Sequence, residues 1–319
     1  MKQILRLGTR GSPLALIQAQ IARRAILDAH PEFCAACEIE IVPIRTNGDW
    51  TPAQKEKSFL EMGSSKGLFT KEIEEALYSG MIDMAVHSMK DVSVWDPEGL
   101  TFIAMLERGD PHDALLSPLA PCVEDLPKGA RVGTSSLRRK AQILAMRPDL
   151  EVVPLRGNVD TRMKKLMSEE VDATILALAG LQRLGVGDRV ASVFSYEQML
   201  PAPAQAVLGI QIRKDDEEMT SWLTPINHEE TMLCAKAERA LLRTLDGSCH
   251  LPIAALAQPD GKGGCSLDGL AATVDGKTLV KKRMTASLQE AESLGKKVGL
   301  AIKAELPEGF GTKLSCILN

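Results

Sequence analysis

Aromatic side chains are scarce in this chain of 319 residues and make up only 3% of it. So few rings argue against a base-stacking platform for single-stranded nucleic acid. Basic residues are not in excess either, because 38 Lys and Arg stand against 42 Asp and Glu, giving a net charge of −4. Nucleic-acid-binding proteins usually carry a basic excess, so we expect no nucleic-acid partner.

Long apolar runs are also lacking, and none approaches the roughly 20 residues that span a bilayer. Arg6 and Arg10 interrupt the apolar stretch at the N-terminus, which argues against a signal peptide. The seven cysteines form an odd, scattered set, and Cys34 and Cys37 make a lone C-x-x-C without a second pair at zinc spacing. We therefore predict reduced thiols in a cytoplasmic protein, with no metal and no membrane partner.

The phosphate-binding sequences G-x-x-x-x-G-K-S/T and G-x-G-x-x-G are absent as well. The composition is otherwise ordinary, with 45% hydrophobic and 25% charged residues, as in a soluble globular protein. The length predicts two or three domains.

Strands and helices alternate over the first half of the chain. A strand over Ile4–Leu7 is followed by Gly8-Thr9 and a helix, and a strand over Ala130–Val132 is followed by Gly133-Thr134 and another helix. This alternation predicts a mainly parallel α/β sheet, and the repeated Gly-Thr suggests two similar α/β domains. Further strands are predicted at 39–44, 82–86, 152–155 and 173–178, and helices ending near residues 28, 78, 146 and 167.

The C-terminal part has a different pattern. A helix is predicted over His228–Leu245 and a last helix over Ala286–Ala304. Between them, Asp275-Gly276 is a hairpin signal that separates strands at 269–274 and 277–283. These features predict a smaller α+β domain with an antiparallel sheet.

Hydroxyl and cationic residues follow the predicted strands, where open α/β sheets bind ligands. With free amides at helix N-termini they would form an anion site, and Arg suits a carboxylate because its fork binds both oxygens. Residues 131–189 hold 11 basic and 7 acidic residues, an excess of +4. The alternative is that these cations are solvated helix faces. The residues concerned are Thr9, Arg10, Ser12, Ser88, Lys90, Thr134, Ser135, Ser136, Arg138, Arg139, Arg156, Arg162 and Arg183.

Two further residues have chemical potential. Asp91 is the one acid among these cations, where it would stay ionised and could stabilise a developing cation or move a proton; the alternative is a helix-capping role. Cys249 lies on a predicted loop between Gly247 and Pro252, and a loop thiol can serve as a covalent attachment point. The alternative for Cys249 is an incidental thiol.

Six stretches of the sequence, in order along nearly the whole chain, resemble the porphobilinogen deaminase family, also called the hydroxymethylbilane synthases. The loop around Cys249 also lies where that family carries its cofactor cysteine. The six stretches are Thr9-Arg10-Gly11-Ser12-Pro13-Leu14-Ala15, Lys66-Gly67-Leu68-Phe69, His87-Ser88-Met89-Lys90-Asp91-Val92, Gly133-Thr134-Ser135-Ser136-Leu137-Arg138-Arg139, Leu155-Arg156-Gly157-Asn158 with Thr161-Arg162, and Ala179-Gly180-Leu181-Gln182-Arg183-Leu184.

The resemblance implies a monomer with two similar α/β domains, like those of periplasmic binding proteins, and an active cleft between them. Domain 1 would comprise residues 1–103 and 200–220, domain 2 residues 104–199, and a C-terminal α+β domain residues 221–319. The implied reaction condenses four porphobilinogen molecules head to tail into hydroxymethylbilane, with loss of ammonia, a step in tetrapyrrole and haem synthesis. A dipyrromethane primer would be bound through a thioether to Cys249.

The resemblance also implies residue roles, and a polyanionic chain of pyrroles would explain an arginine-rich site without a phosphate loop. Asp91 would be catalytic, stabilising a cationic azafulvene and assisting proton transfer. The loop at 46–66, with Lys66, would be a lid. Substrate carboxylates would be held by Arg10, Ser12, Arg156, Arg162 and Arg183, and primer carboxylates by Lys90, Thr134, Ser136, Arg138 and Arg139.

Three departures from the family pattern accompany these matches. A Gly-Gln-Gly element reads Ala204-Gln205-Ala206 here, a Gly-Gly in the lid reads Ser64-Ser65, and Ser93 replaces a proline. If those glycines need positive φ, alanine costs stability or hinge freedom. No charged or nucleophilic group is lost, so we expect an active enzyme. The alternatives are a non-catalytic carboxylate-binding protein and a degenerate deaminase that keeps its primer but has no turnover.

Overall fold

The computed structural model describes residues 3–31, 37–46, 70–245 and 251–307. Its strands are β1 (Gln3–Arg10), β2 (Cys37–Ile44), β3 (Met84–Ser88), β4 (Leu100–Met105), β5 (Asp113–Leu116), β6 (Arg131–Gly133), β7 (Glu151–Val153), β8 (Ala173–Ala177), β9 (Ser192–Val193), β10 (Leu208–Arg213), β11 (Ile253–Pro259), β12 (Gly264–Ala272) and β13 (Leu279–Ser287). Its helices are α1 (Pro13–Ala29), α2 (Lys71–Tyr78), α3 (Leu137–Met146), α4 (Val159–Met167), α5 (Leu178–Arg183), α6 (Glu217–Leu223), α7 (Glu229–Thr244) and α8 (Ala291–Lys303).

The first sheet has the strand order β2-β1-β3-β10-β4. Strand β1 runs parallel to β2 and β3, whereas β10 runs antiparallel to β3 and β4. One face packs against α1, whose apolar stripe includes Ala19, Ala22 and Ile26, and the other packs against α2 through Ile73 and Leu77. Both faces of the sheet are therefore covered, as expected for parallel strands.

The second sheet repeats this arrangement with the order β7-β6-β8-β5-β9. Here β6 is parallel to β7 and β8, and β5 is antiparallel to β8 and β9. The prediction of two similar α/β sheets is confirmed. The expectation of mainly parallel sheets is also confirmed, because four of the five strands in each sheet run in one direction. One strand of each sheet, β10 or β5, runs in the opposite direction.

The repeated Gly-Thr has a packing reason in both sheets. A Cβ on Gly8 would lie 2.3 Å from the Ile82 side chain, and a Cβ on Gly133 would lie 2.7 Å from the Leu155 side chain. Each glycine therefore leaves room for an apolar side chain that follows or precedes a neighbouring strand. The repeated Gly-Thr dipeptide therefore occupies equivalent positions in the two sheets.

The third sheet, β11-β12-β13, is antiparallel, and α7 and α8 cover one of its faces. The predicted α+β character of this region is confirmed. The predicted turn at Asp275-Gly276 is present, but β12 ends at Ala272 and β13 begins at Leu279, so the connection is longer than two residues. Strand β13 continues to Ser287, where a helix was expected from residue 286, because its residues stay paired with β12.

The described residues fall into two compact units. Unit 1 holds 3–31, 37–46, 70–109 and 206–232, and therefore the first sheet. Unit 2 holds 110–205, 233–245 and 251–307, and therefore the second and third sheets. The predicted domain boundaries stay predictions. None of the helices formed by the described residues has the length and apolar character to cross a bilayer.

Candidate active site

Unit 1 has a pocket at the carboxyl ends of β1 and β3, where ligands bind in open α/β sheets. The pocket brings together five residues predicted from sequence, which are Thr9, Arg10, Ser12, Ser88 and Asp91. Arg10 and Ser12 are half-buried, and Asp91 is exposed. Its other polar lining residues are Gln18, Thr70 and His87.

The N-terminus of α1 forms one wall of this pocket. Ser12 is its N-cap, and the Ser12 Oγ accepts a hydrogen bond from the Ala15 amide at 3.3 Å. The buried Thr9 donates from its Oγ1 to the Ala15 carbonyl at 3.2 Å, which ties the end of β1 to the first turn of the helix. Helix N-termini favour negative charge, so this wall suits an anion.

Asp91 is held at the pocket by a short 3-10 turn over Met89–Asp91 that directly follows β3. The Met89 side chain is 1% exposed, and its amide donates to the Val207 carbonyl at 3.0 Å. Gly209 makes room for it, since a Cβ there would lie 2.2 Å from the Met89 sulfur. The buried methionine thus anchors the turn, and the neighbouring Asp91 remains exposed to a ligand.

Gln18 is a pocket residue that the sequence reasoning missed. It is 6% exposed, and its Oε1 accepts a hydrogen bond from the Ser88 Oγ at 3.1 Å. The signal was a polar side chain on the apolar stripe of α1, between Ala15 and Ala19. A buried polar residue on such a stripe needs a partner, and here the partner belongs to β3.

His87 lines the same pocket as a neutral side chain. Its pKa is lowered to about 4, chiefly by burial and also by the positive charge of Arg10, while a hydrogen bond with Gln211 acts in the opposite direction. The His87 ring stands edge-on to Phe102, with ring centroids 5.6 Å apart. This packing is that of a structural residue at the end of a strand.

In unit 2, the link between β6 and α3 carries two of the predicted hydroxyls. The Thr134 Oγ1 accepts a hydrogen bond from the Ser136 amide at 3.1 Å, and Thr134 is 5% exposed. Ser136 is the N-cap of α3, and its Oγ accepts from the Arg139 amide at 3.4 Å. This arrangement is the counterpart of Thr9 and Ser12 in the first sheet.

The predicted arginine pair on α3 is buried against a carboxylate that sequence reasoning did not single out. Arg138 and Arg139 are 5% and 6% exposed, and Asp113 at the start of β5 is fully buried. Arg138 Nη1 lies 2.7 Å from Asp113 Oδ2, and Arg139 Nη2 lies 2.7 Å from Asp113 Oδ1. The sequence signal was an acidic residue opening the otherwise apolar run 113–116.

Three more predicted arginines follow strands of the second sheet and are half-buried. Arg156 follows β7, and the Arg162 Nε on α4 donates to the Gly157 carbonyl at 2.9 Å. Arg183 ends α5, and burial lowers the pKa of its guanidinium. Their positions agree with the predicted pattern, whereas their roles toward a ligand stay predictions.

Lys90 lies half-buried on the same short turn as Asp91. Cys249, Lys66 and Ser64-Ser65 lie outside the described residues, as does the predicted lid beyond Thr46. The segment that carries Cys249 joins α7 to β11.

The Ala204-Gln205-Ala206 segment has a backbone that favours glycine. Ala204 has φ of 58° and Ala206 has φ of 71°, in the left-handed region. The side chain of Gln205 is fully buried. Both alanines therefore have the positive φ at which alanine is strained and glycine is not.

Two similar α/β sheets and a third antiparallel sheet, with cations, hydroxyls and the exposed Asp91 after the strands, define an α/β protein with anion-binding groups at its strand ends. The model of the "Porphobilinogen deaminase, dipyromethane cofactor binding domain" matches residues 5–221, and that of the "Porphobilinogen deaminase, C-terminal domain" matches residues 232–304. The chain belongs to the porphobilinogen deaminase family.

Named relatives agree with this assignment. The chain is 45% identical over 309 residues to the chloroplastic porphobilinogen deaminase of Oryza sativa subsp. japonica, covering 96% of this chain and 85% of the relative. It is 42% identical over 295 residues to porphobilinogen deaminase of Alkaliphilus metalliredigens, covering 92% and 90% of the two chains. These relatives are named as enzymes, and the prediction of an enzyme of this family is confirmed.

Solved structures similar to the chain include the methionine-binding protein MetQ, at 14% identity and a TM-score of 0.43, covering 69% of this chain and 88% of that one. A periplasmic sulfonate-binding protein from Methylobacillus flagellatus KT has 16% identity and a TM-score of 0.39, covering 75% of this chain and 68% of that one.

Proposed function

We propose that this chain is a transferase that condenses four porphobilinogen molecules head to tail into hydroxymethylbilane, releasing one ammonia for each unit added. This reaction belongs to tetrapyrrole and haem synthesis. The observation that carries the proposal is the unit 1 pocket, in a chain of this family, where the exposed Asp91 shares its walls with Arg10 and Ser12. The pocket offers a cation-stabilising carboxylate beside anion-binding groups.

The residues of unit 2 fit a cofactor with several carboxylates. Arg138, Arg139 and Asp113 together keep a net positive charge while nearly excluded from water. An uncompensated buried charge is costly, so such a cluster favours an anion. The hydroxyls of Thr134 and Ser136 lie at the start of the same helix. We propose that these four residues, with Lys90, hold the carboxylates of a dipyrromethane bound through a thioether to Cys249.

When bound, the dipyrromethane supplies an anchored pyrrole to which substrate units are added. The chain's own residues act on the incoming porphobilinogen. Loss of its amine as ammonia leaves a cationic azafulvene, and the carboxylate of Asp91 stabilises that cation and the pyrrole N–H. Once a pyrrole carbon of the bound chain joins the azafulvene, Asp91 would assist removal of the proton from that carbon.

The substrate's acetate and propionate groups need cationic partners. We propose that Arg10 and Ser12 supply them in unit 1, and Arg156, Arg162 and Arg183 in unit 2. Bidentate pairing by a guanidinium orients a carboxylate as well as binding it, and orientation of the reacting atoms is itself a source of rate. The neutral His87 adds no charge to the pocket at neutral pH. Lys66 is proposed to cover the bound chain as part of the lid.

The test is incubation of the purified protein with porphobilinogen, with ammonia and tetrapyrrole product measured together. We expect four ammonia molecules per hydroxymethylbilane. Primer on the protein without ammonia release would indicate the degenerate deaminase, and reversible binding with neither primer nor ammonia would indicate the carboxylate-binding protein. A single symmetric sedimentation boundary at the mass of one chain would support the predicted monomer. The cytoplasmic location also stays a prediction.

A further inference from the structure

The arginine pair on α3 needs an external support to act as one binding group. Successive residues of a helix point about 100° apart, so adjacent long side chains diverge unless something joins them. Asp113 does so, because one of its oxygens contacts Arg138 and the other contacts Arg139, each at 2.7 Å. Arg139 adds a second contact from its Nε to the same Oδ1 at 3.2 Å.

Each guanidinium is also fixed at a second point. Arg138 Nη1 donates to the Leu200 carbonyl at 2.8 Å, and Arg139 Nη1 donates to the Ile175 carbonyl at 2.8 Å. A guanidinium has five N–H donors, so further donors exist beyond these contacts. Two fixed points per group hold the plane of each guanidinium, and planarity is what gives arginine its bidentate selectivity for carboxylates.

Asp113 is itself held by the return segment of the chain. Gln205 Nε2 donates to Asp113 Oδ1 at 3.1 Å and to the Pro111 carbonyl at 2.7 Å. Next to it, the Ala204 amide donates to Glu238 Oε2 on α7 at 2.5 Å. Asp113 therefore belongs to a buried set of polar contacts that extends to Glu238 on α7, the helix that precedes Cys249 in the sequence.

We propose that Asp113 is a positioning residue that orients Arg138 and Arg139 as a single site for primer carboxylates, with Gln205 fixing Asp113. The inference rests on the proposed role of the two arginines in primer binding. It assigns Asp113 a function through the arginines, without contact to substrate. The loss of the Asp113 charge and the loss of arginine orientation have opposite expected effects on anion binding. Removing the Asp113 charge raises the net charge of the cluster from +1 to +2, which alone would strengthen anion binding.

The experiment uses apoprotein produced in cells that make no porphobilinogen, titrated with porphobilinogen and followed by intact mass. Asp113→Asn keeps the size of the side chain and removes its charge. We expect the porphobilinogen concentration for half-maximal primer loading to rise at least about tenfold, because the two guanidiniums lose their shared acceptor. The matched control is Leu115→Ala, which disturbs a fully buried residue of the same strand and leaves the Asp113 carboxylate in place.

The outcomes separate the alternatives. Weakened loading in Asp113→Asn with normal loading in Leu115→Ala supports positioning. Loading as tight as wild type or tighter in Asp113→Asn overturns it, as does equal weakening in both variants, which indicates a role in stability alone. Failure of the wild type to load overturns the proposed function itself. Should Asp113→Asn not fold, Gln205→Met decides, with loading weakened about threefold expected and unchanged loading contradicting the proposal.

Discussion

The first and second sheets share a strand order but differ in the charge that follows their third parallel strand. After β3 comes a short turn that leaves the carboxylate of Asp91 exposed. After β8 comes α5, which ends in the half-buried guanidinium of Arg183. The same strand order is therefore followed by a carboxylate in unit 1 and by a guanidinium in unit 2. The residues after the strands, and not the sheet itself, decide the chemistry of each region.

The two regions also use their carboxylates in contrasting ways. Asp91 is exposed beside a pocket, whereas Asp113 is fully buried between two guanidiniums. An exposed acid is available to a reacting group, and a buried acid with two cationic partners is occupied by structure. This difference favours Asp91 as the group that meets a cation and the arginine pair as the group that meets an anion.

Replacing Asp91 tests this contrast most strongly. We expect Asp91→Ala to lower the rate of hydroxymethylbilane formation by at least about 10³-fold, because the azafulvene cation loses its counter-charge. Its free energy of unfolding should stay within about 0.5 kcal/mol of wild type, since the side chain is exposed. Asp96→Ala, at another exposed acid of unit 1, is the control and should keep its activity. A rate within tenfold of wild type for Asp91→Ala would remove its catalytic role.

Replacing Asp113 tests the other half of the contrast through stability. Asp113→Ala leaves two buried guanidiniums without their carboxylate and should cost about 3–5 kcal/mol in the free energy of unfolding. Asp28→Ala, which breaks the exposed Arg24–Asp28 pair, should cost no more than about 0.5 kcal/mol. Denaturant titration measures both. A similarly small loss in the free energy of unfolding for the two variants would show that Asp113 does not stabilise the second sheet.

Acid should weaken the same cluster. Burial alone would raise the pKa of Asp113, but Arg138 and Arg139 together lower it well below its ordinary 3.8. A carboxyl with a lowered folded pKa stabilises the protein above its unfolded pKa, and this contribution is lost as pH falls through the folded value. We expect Asp113→Asn to abolish this loss below about pH 4, measured as unfolding free energy against pH. An unchanged acid limb would contradict it.

Within unit 1, the buried base His87 lines the same pocket as the exposed acid Asp91. Its pKa of about 4 in the folded protein is below the value of about 6.5 expected when unfolded. Between these values the unfolded chain binds the proton, so stability should fall by about 1.4 kcal/mol per pH unit on acidification. His87→Gln should lack this part of the pH dependence. The same slope in wild type and variant would show that His87 is not buried as a neutral ring.

The smallest expected effect lies where the chain passes from one unit to the other. Ala204→Gly and Ala206→Gly should each stabilise the protein by about 0.5–1 kcal/mol, because relief of left-handed strain exceeds the entropy that glycine adds. Ala202→Gly, at a neighbouring position without positive φ, should stabilise nothing. Thermal unfolding of the three variants gives the answer. Destabilisation by both glycines would contradict the assigned strain.

Much of this arrangement could be predicted from local sequence. The Ser12-Pro13 start of α1 and the Gly133-Thr134 turn carry their own capping and packing signals, and the structure has the expected elements there. The strands β5 and β10 could not be assigned this way. Each is a short apolar run whose partners lie far away in sequence, and only tertiary pairing decides its direction.

The same limit applies to the site. Arg138 and Arg139 were found because they follow a predicted strand, but their common partner is 25 residues earlier in the chain for Arg138 and 26 for Arg139. Gln18 was hidden within a helix whose periodicity was read as core. A polar residue on an apolar face therefore indicates a buried polar contact, but local sequence does not identify its partner, because the fold decides which residue that is.

The most direct measurement is the intact mass of the purified protein, followed by peptide mapping of Cys249. We predict an added mass equal to two deaminated porphobilinogen units, located on the peptide that contains Cys249 and absent from Cys249→Ser. An unmodified thiol, even after incubation with porphobilinogen, would contradict the covalent primer and with it the proposed mechanism of chain growth.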